Sequence, residues 1–144
     1  MRRCSSLLCA LLISFGVHAD AFQQALVDYG NKLEECSTMA KTNTADFPVT
    51  DWFAGLDVQS KKNVLLYLSL DNRSRCSSKE KAVLIEAAET APEPAKEALR
   101  FLLEEKPYRE YIENLDKDKL LRIQREYSKP FDSLKVGKSL DLFE

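Results

Sequence analysis

The sequence predicts an all-α protein, a compact bundle of about five or six short helices in a single domain closed by one disulfide. Apolar residues recur at steps of three and four along most of the chain, which is the spacing of one helical face. Prolines and polar clusters cut that pattern into segments of helix length. Nothing alternates cleanly enough to form a sheet.

The first segment is not part of the expected bundle. Met1, Arg2 and Arg3 give a positive start, Leu7 to Val17 form an apolar run, and Val17-His18-Ala19 ends in a small-x-small pattern. This is the signature of a signal peptide cut after Ala19, leaving residues 20–144 as the helical domain of an exported protein. The run falls short of the roughly 20 apolar residues that cross a bilayer, and no later stretch is long enough, so the processed protein is expected to be soluble.

In the remainder, Asp20 is placed to cap a helix reaching about Cys36, with Phe22, Leu26, Tyr29, Leu33 and Cys36 on one face. Gly30 weakens it by up to about 1 kcal/mol relative to Ala. Ser37 to Thr50 is polar, contains Pro48 and reads as a loop. Thr50 and Asp51 precede Trp52-Phe53-Ala54, a short helix or anchored turn ending near Gly55. Asp57 or Ser60 opens the next helix, carrying Val64, Leu65, Tyr67 and Leu68 to about Leu70, with Asp71-Asn72-Arg73-Ser74 as a turn. Ser77 and Glu80 have capping-box spacing ahead of Val83, Leu84, Ala87 and Ala88.

That helix should stop before Pro92, and Pro94 suits the first turn of another, with Ala95, Ala98, Leu99 and Leu102 inward and Glu104 to Lys106 closing it. Pro107 breaks the chain, and Tyr108, Tyr111, Ile112 and Leu115 make a short helical face. Asp116 reads as an N-cap with Leu115 and Leu120 as a staple, opening a helix that carries Leu120, Leu121, Ile123 and Tyr127 and ends before Pro130. The tail from Phe131 to Phe143 is apolar enough to pack across the bundle.

Processing would remove Cys4, Cys9 and His18 and leave Cys36 and Cys76 as the remaining thiols. In an oxidising compartment these two are expected to pair. A bridge over about 40 residues is credited with about 4 kcal/mol by the chain-entropy model. Cys-x-x-Cys spacing is absent and no histidine is left to complete a zinc set, so a structural bridge is preferred over a redox or metal role.

Charge and composition bear on function. The chain has 21 Lys and Arg against 23 Asp and Glu; without Arg2 and Arg3 the balance is −4. A mildly acidic domain is not a nucleic-acid binder by charge. Without histidine, the usual general base and the usual partner of a nucleophile are missing. Neither Gly-x-Ser-x-Gly nor a phosphate-binding glycine loop occurs. Asp46, Asp51, Glu86 and Glu89 would be the candidates for paired-carboxylate chemistry, although a solvated helical surface explains them better. Asp116-Lys117-Asp118 resembles the start of a calcium loop, but counting from Asn114 puts Lys119 and Arg125 where the loop needs Gly and Glu. Asn72-Arg73-Ser74 matches the glycosylation triplet.

No catalytic residue, metal or cofactor is therefore assigned. The residues most suited to contacting a partner are Trp52 and Phe53, as an anchor or as core, with Tyr67, Arg73 and Arg75 as a possible groove and Tyr108, Arg109 and Tyr111 as a second aromatic-basic group. The sequence points to a periplasmic or secreted binding protein with a protein partner in the envelope. An inhibitor or immunity protein against an envelope-targeting enzyme is one form of it. A carboxylate-based cell-wall enzyme and a ligand-binding or envelope-assembly module are the alternatives.

Overall fold

In a computed structural model the backbone is described for residues 9–103 and 108–143, and side chains for residues 21–97, 99, 100 and 108–143. The described residues are all-α. The helices are α1 (Cys9–Thr42), α2 (Asp51–Ala54), α3 (Val58–Cys76), α4 (Ser78–Ala88), α5 (Glu93–Leu103), α6 (Lys117–Glu126) and α7 (Ser133–Ser139), with a 3₁₀ turn at Tyr108–Ile112. No helix among the described residues is long and apolar enough to cross a membrane. Residues 1–8 of the expected signal peptide, and the expected helix end at Glu104 to Lys106 with the break at Pro107, lie outside the described residues.

The contacts divide the chain into two units. One comprises residues up to Lys32 together with Ser78–Glu105; the other comprises Leu33–Ser77 with Lys106–Glu144. The first has a small core of Ala25, Leu84, Ala88 and Leu99, flanked by Phe22, Tyr29 and Ala87. The second holds the larger core, built from Val64, Leu65 and Leu68 of α3, Ile112, Leu120, Ile123 and Tyr127, together with Phe47, Phe53, Phe131 and Leu142. Phe47 touches Phe53, Tyr127 and Phe131 with ring centroids 5.0, 5.3 and 6.3 Å apart. It thereby anchors an otherwise polar loop. The apolar tail packs as expected, with Phe131 and Leu142 buried, and it adds a helix, α7, that the sequence reading did not contain.

Four boundaries differ from the sequence reading. α1 passes through Asp20, which is thus a helical interior position and not a cap, and it continues to Thr42. Burial of Cys36 and Ala40 rewards the extension, and Thr42 Oγ1 donates back to the Thr38 carbonyl at 2.9 Å. The buried edge of α1 runs through Ala25, Cys36 and Ala40; Leu26 and Leu33, expected inside, are exposed.

α3 runs straight through the expected turn at Asp71 to Ser74. Asn72 is 1 % exposed, and its Nδ2 donates to the carbonyls of Tyr127 and Lys129 at 2.7 and 3.1 Å. Those tertiary bonds outweigh the turn preference of an isolated Asp-Asn pair. Ser77 is not the N-cap of a capping box. Its φ of −106° and ψ of 9° lack the extended geometry a cap requires, and its hydroxyl faces back to the carbonyls of Arg73 and Ser74.

Other starts are as the sequence predicts. Thr50 accepts from the Phe53 N–H, Asp57 from the Ser60 N–H, and Asp116 from the N–H groups of Asp118 and Lys119. The Cys36–Cys76 disulfide is formed, tying the C-terminal part of α1 to the end of α3.

Candidate functional site

The features of the larger unit converge on α6. Leu120, Ile123 and Gln124 turn one face inward, which leaves Lys117 and Leu121 on one flank and Lys119 and Arg122 on the other, as 100° per residue requires. A cleft lies along each flank, and each contains an aromatic side chain.

On the first side, Tyr67 of α3, Arg109, Ile112 and Glu113 of the 3₁₀ region, and Lys117, Leu120 and Leu121 of α6 enclose about 480 Å³. Ile112 and Leu120 are buried and make an apolar base, whereas Leu121 is 48 % exposed at the edge. Burial raises the Tyr67 hydroxyl above its ordinary pKa; nearby Asp71 adds to the effect, and Arg109 and Arg75 oppose it. Tyr67 is therefore a neutral donor throughout the physiological range.

Behind it, Asp71 accepts a hydrogen bond from Gln124 Nε2 and lies 3.8 Å from Arg75. Burial pushes the Asp71 carboxyl above the usual range, against the opposing influence of Arg75 and Gln124.

On the second side, Val49, Thr50, Asp51 and Trp52 face Lys119 and Arg122 across a cleft of about 620 Å³. The local sequence explains the arrangement. The Thr50 cap starts α2, and its neighbouring positions Trp52 and Phe53 are about 100° apart around the axis. Phe53 turns fully into the core, while Trp52 packs against its edge and remains half-buried. Lys119 is 3.6 Å from Asp116 and Arg122 is 3.5 Å from Glu126; both pairs are exposed and contribute little to stability.

The residues singled out in the sequence thus occupy different places. Trp52 and Tyr67 line the two clefts, Phe53 is core, Arg73 is exposed, and Arg75 is placed beside Asp71. Of the second aromatic-basic group, Arg109 enters the Tyr67 cleft and Tyr111 packs on the core. Leu121, expected with Leu120, Ile123 and Tyr127 among the apolar residues of this helix, is instead 48 % exposed, because the inward stripe runs through Leu120, Ile123 and Gln124; Arg122 beside it carries no motif of its own.

Two weaker motifs are accounted for otherwise. Asp116 caps α6, and among the described residues no group of three or more Asp, Glu, His or Cys is placed to hold a metal ion. Asn72 is buried with its amide nitrogen engaged, so the folded chain does not present that triplet for glycosylation. The acidic candidates do not form one site: Asp51 lines the Trp52 cleft, Asp46 lies in another depression beside Lys135, and Glu86 and Glu89 are exposed in the smaller unit. No family model, curated protein or solved structure matches the chain, so the reading of the site rests on its own geometry.

Proposed function

We propose that this chain is an exported protein-binding module that engages an envelope partner through α6 and the clefts beside it. An inhibitor or immunity protein, which covers the active site of an envelope-targeting enzyme, is the specific form we favour. The observation carrying the reading is that one short helix separates two clefts containing Trp52 and Tyr67, while Leu121 stands half in solvent between cationic neighbours. Aromatic anchors and arginine are the residue types that dominate binding energies, and a half-exposed leucine beside them gains most from being covered.

The disulfide supports an oxidising compartment, and the sequence pattern at residues 1–19 supports export to it. A covering role needs rigid presentation more than chemistry, which suits a surface built on helices with capped starts.

The test is capture from envelope fractions, or from co-produced envelope-directed enzymes, with the disulfide-intact chain as bait. A stoichiometric partner is expected, its binding reduced by Arg122→Glu and by Leu121→Ser while the helical circular-dichroism spectrum is retained. Recovery of no partner, or of one indifferent to both substitutions, overturns the proposal.

A further inference from the structure

The two clefts are chemically unequal. The Trp52 cleft is wide and bounded by two cations already placed beside acids of α6. The Tyr67 cleft has a buried apolar base of Ile112 and Leu120, an exposed apolar edge at Leu121, and three charged rim residues, Arg109, Glu113 and Lys117. Its volume of about 480 Å³ falls in the range of roughly 300 to 1,000 Å³ common for ligand sites.

We propose that the Tyr67 cleft takes a partner's peptide segment in which one aliphatic side chain is followed by one carboxylate. The aliphatic group settles on Ile112 and Leu120 and covers Leu121, removing apolar surface from water. The carboxylate meets Arg109, whose planar fork suits it, with Lys117 on the same rim. Glu113 sets the limit. It leaves the rim with a surplus of one positive charge and repels a second carboxylate brought to its side, so the segment is apolar with a single acid and not a general acidic tract. Tyr67 adds a neutral hydroxyl donor to the wall.

The inference rests on the partner-binding reading and names the chemistry of one half of that surface. It is tested by recording amide ¹H–¹⁵N spectra of the full disulfide-intact chain against four capped tripeptides: Gly-Leu-Glu, Gly-Leu-Gln, Gly-Ser-Glu and Gly-Leu-Lys. Gly-Leu-Glu is expected to give saturable shifts at Tyr67, Ile112 and Leu121 with a Kd on the order of a millimolar, and the other three to bind at least about fivefold more weakly. Arg109→Glu should weaken Gly-Leu-Glu by a similar factor while spectral dispersion is unchanged.

No saturable shift, equal affinity for the glutamine peptide, or shifts confined to Trp52 and Val49 would overturn the assignment. Its failure is separable from failure of the broader reading. A stoichiometric partner whose binding Arg122→Glu abolishes but Arg109→Glu leaves intact would remove the cleft assignment and keep the partner.

Discussion

Asn72 shows how one polar side chain changes a local structure. Its Nδ2 joins α3 to the segment between α6 and α7, while its Oδ1 accepts no hydrogen bond among the described residues. Asn72→Leu strands two buried-side carbonyls and should lower stability by about 2–3 kcal/mol, read as a fall in the urea midpoint. Phe47, in contact with three other rings, should cost about 3–5 kcal/mol on truncation to Ala, a penalty its polar surroundings in sequence do not announce.

Asp71 gives the expected pH dependence. Its folded pKa is raised, so the native state holds that proton more tightly than the unfolded chain does. The contribution to stability is therefore greatest below the unfolded value of 3.8 and is lost as pH climbs through the folded one. Asp71→Asn keeps an acceptor for Gln124 and should raise the thermal midpoint at neutral pH, with the advantage vanishing near about pH 3. A midpoint gap independent of pH would contradict this.

Helices were legible where a cap stood before an apolar stripe, as at Thr50, Asp57 and Asp116, because cap and stripe are both local signals. They were illegible where long-range contacts decide. Residues 37–42 stay helical alongside a disulfide half-cystine and a fully buried alanine, and α3 continues because Asn72 finds carbonyls more than fifty residues away.

α7 was missed for a related reason. Its end is a Schellman turn, in which Leu142 N–H donates to the Gly137 carbonyl and Asp141 N–H to the Lys138 carbonyl. Asp141 adopts the left-handed conformation with φ 55°, where the expected glycine is absent. Asp141→Gly should raise stability by up to about 1 kcal/mol. Gly137 sits elsewhere in the same helix for a different purpose: a Cβ there would lie 2.0 Å from the Phe143 ring. Gly137→Ala should cost about 1–2 kcal/mol, helix propensity offsetting part of the clash. Paired denaturation curves of the two variants check both signs.

At the scale of the whole molecule, apolar periodicity identified the helical class and the cysteine count the bridge, but neither marked the surface proposed here for binding. Trp52 and Tyr67 could be chosen from residue type, yet they lie on opposite flanks of a helix whose own exposed residues carry no motif. Only the inward turn of Leu120 and Ile123 separates Leu121 from them as surface. Replacing both Cys36 and Cys76 by Ser should lower stability by about 4 kcal/mol on the chain-entropy account. The helical content should be retained, and the comparison of melting curves with and without reductant on the parent chain should give the same difference.

The Cys36–Cys76 bond also gives the polypeptide a covalent shape beyond that of a thread. Residues 36–76 form a closed ring from which two arms extend, one toward each terminus. A protease that nicks the irregular stretch between α1 and α2 opens the ring without releasing either arm. The cut protein should therefore keep its full mass on a non-reducing gel and part into two pieces only when thiol is added.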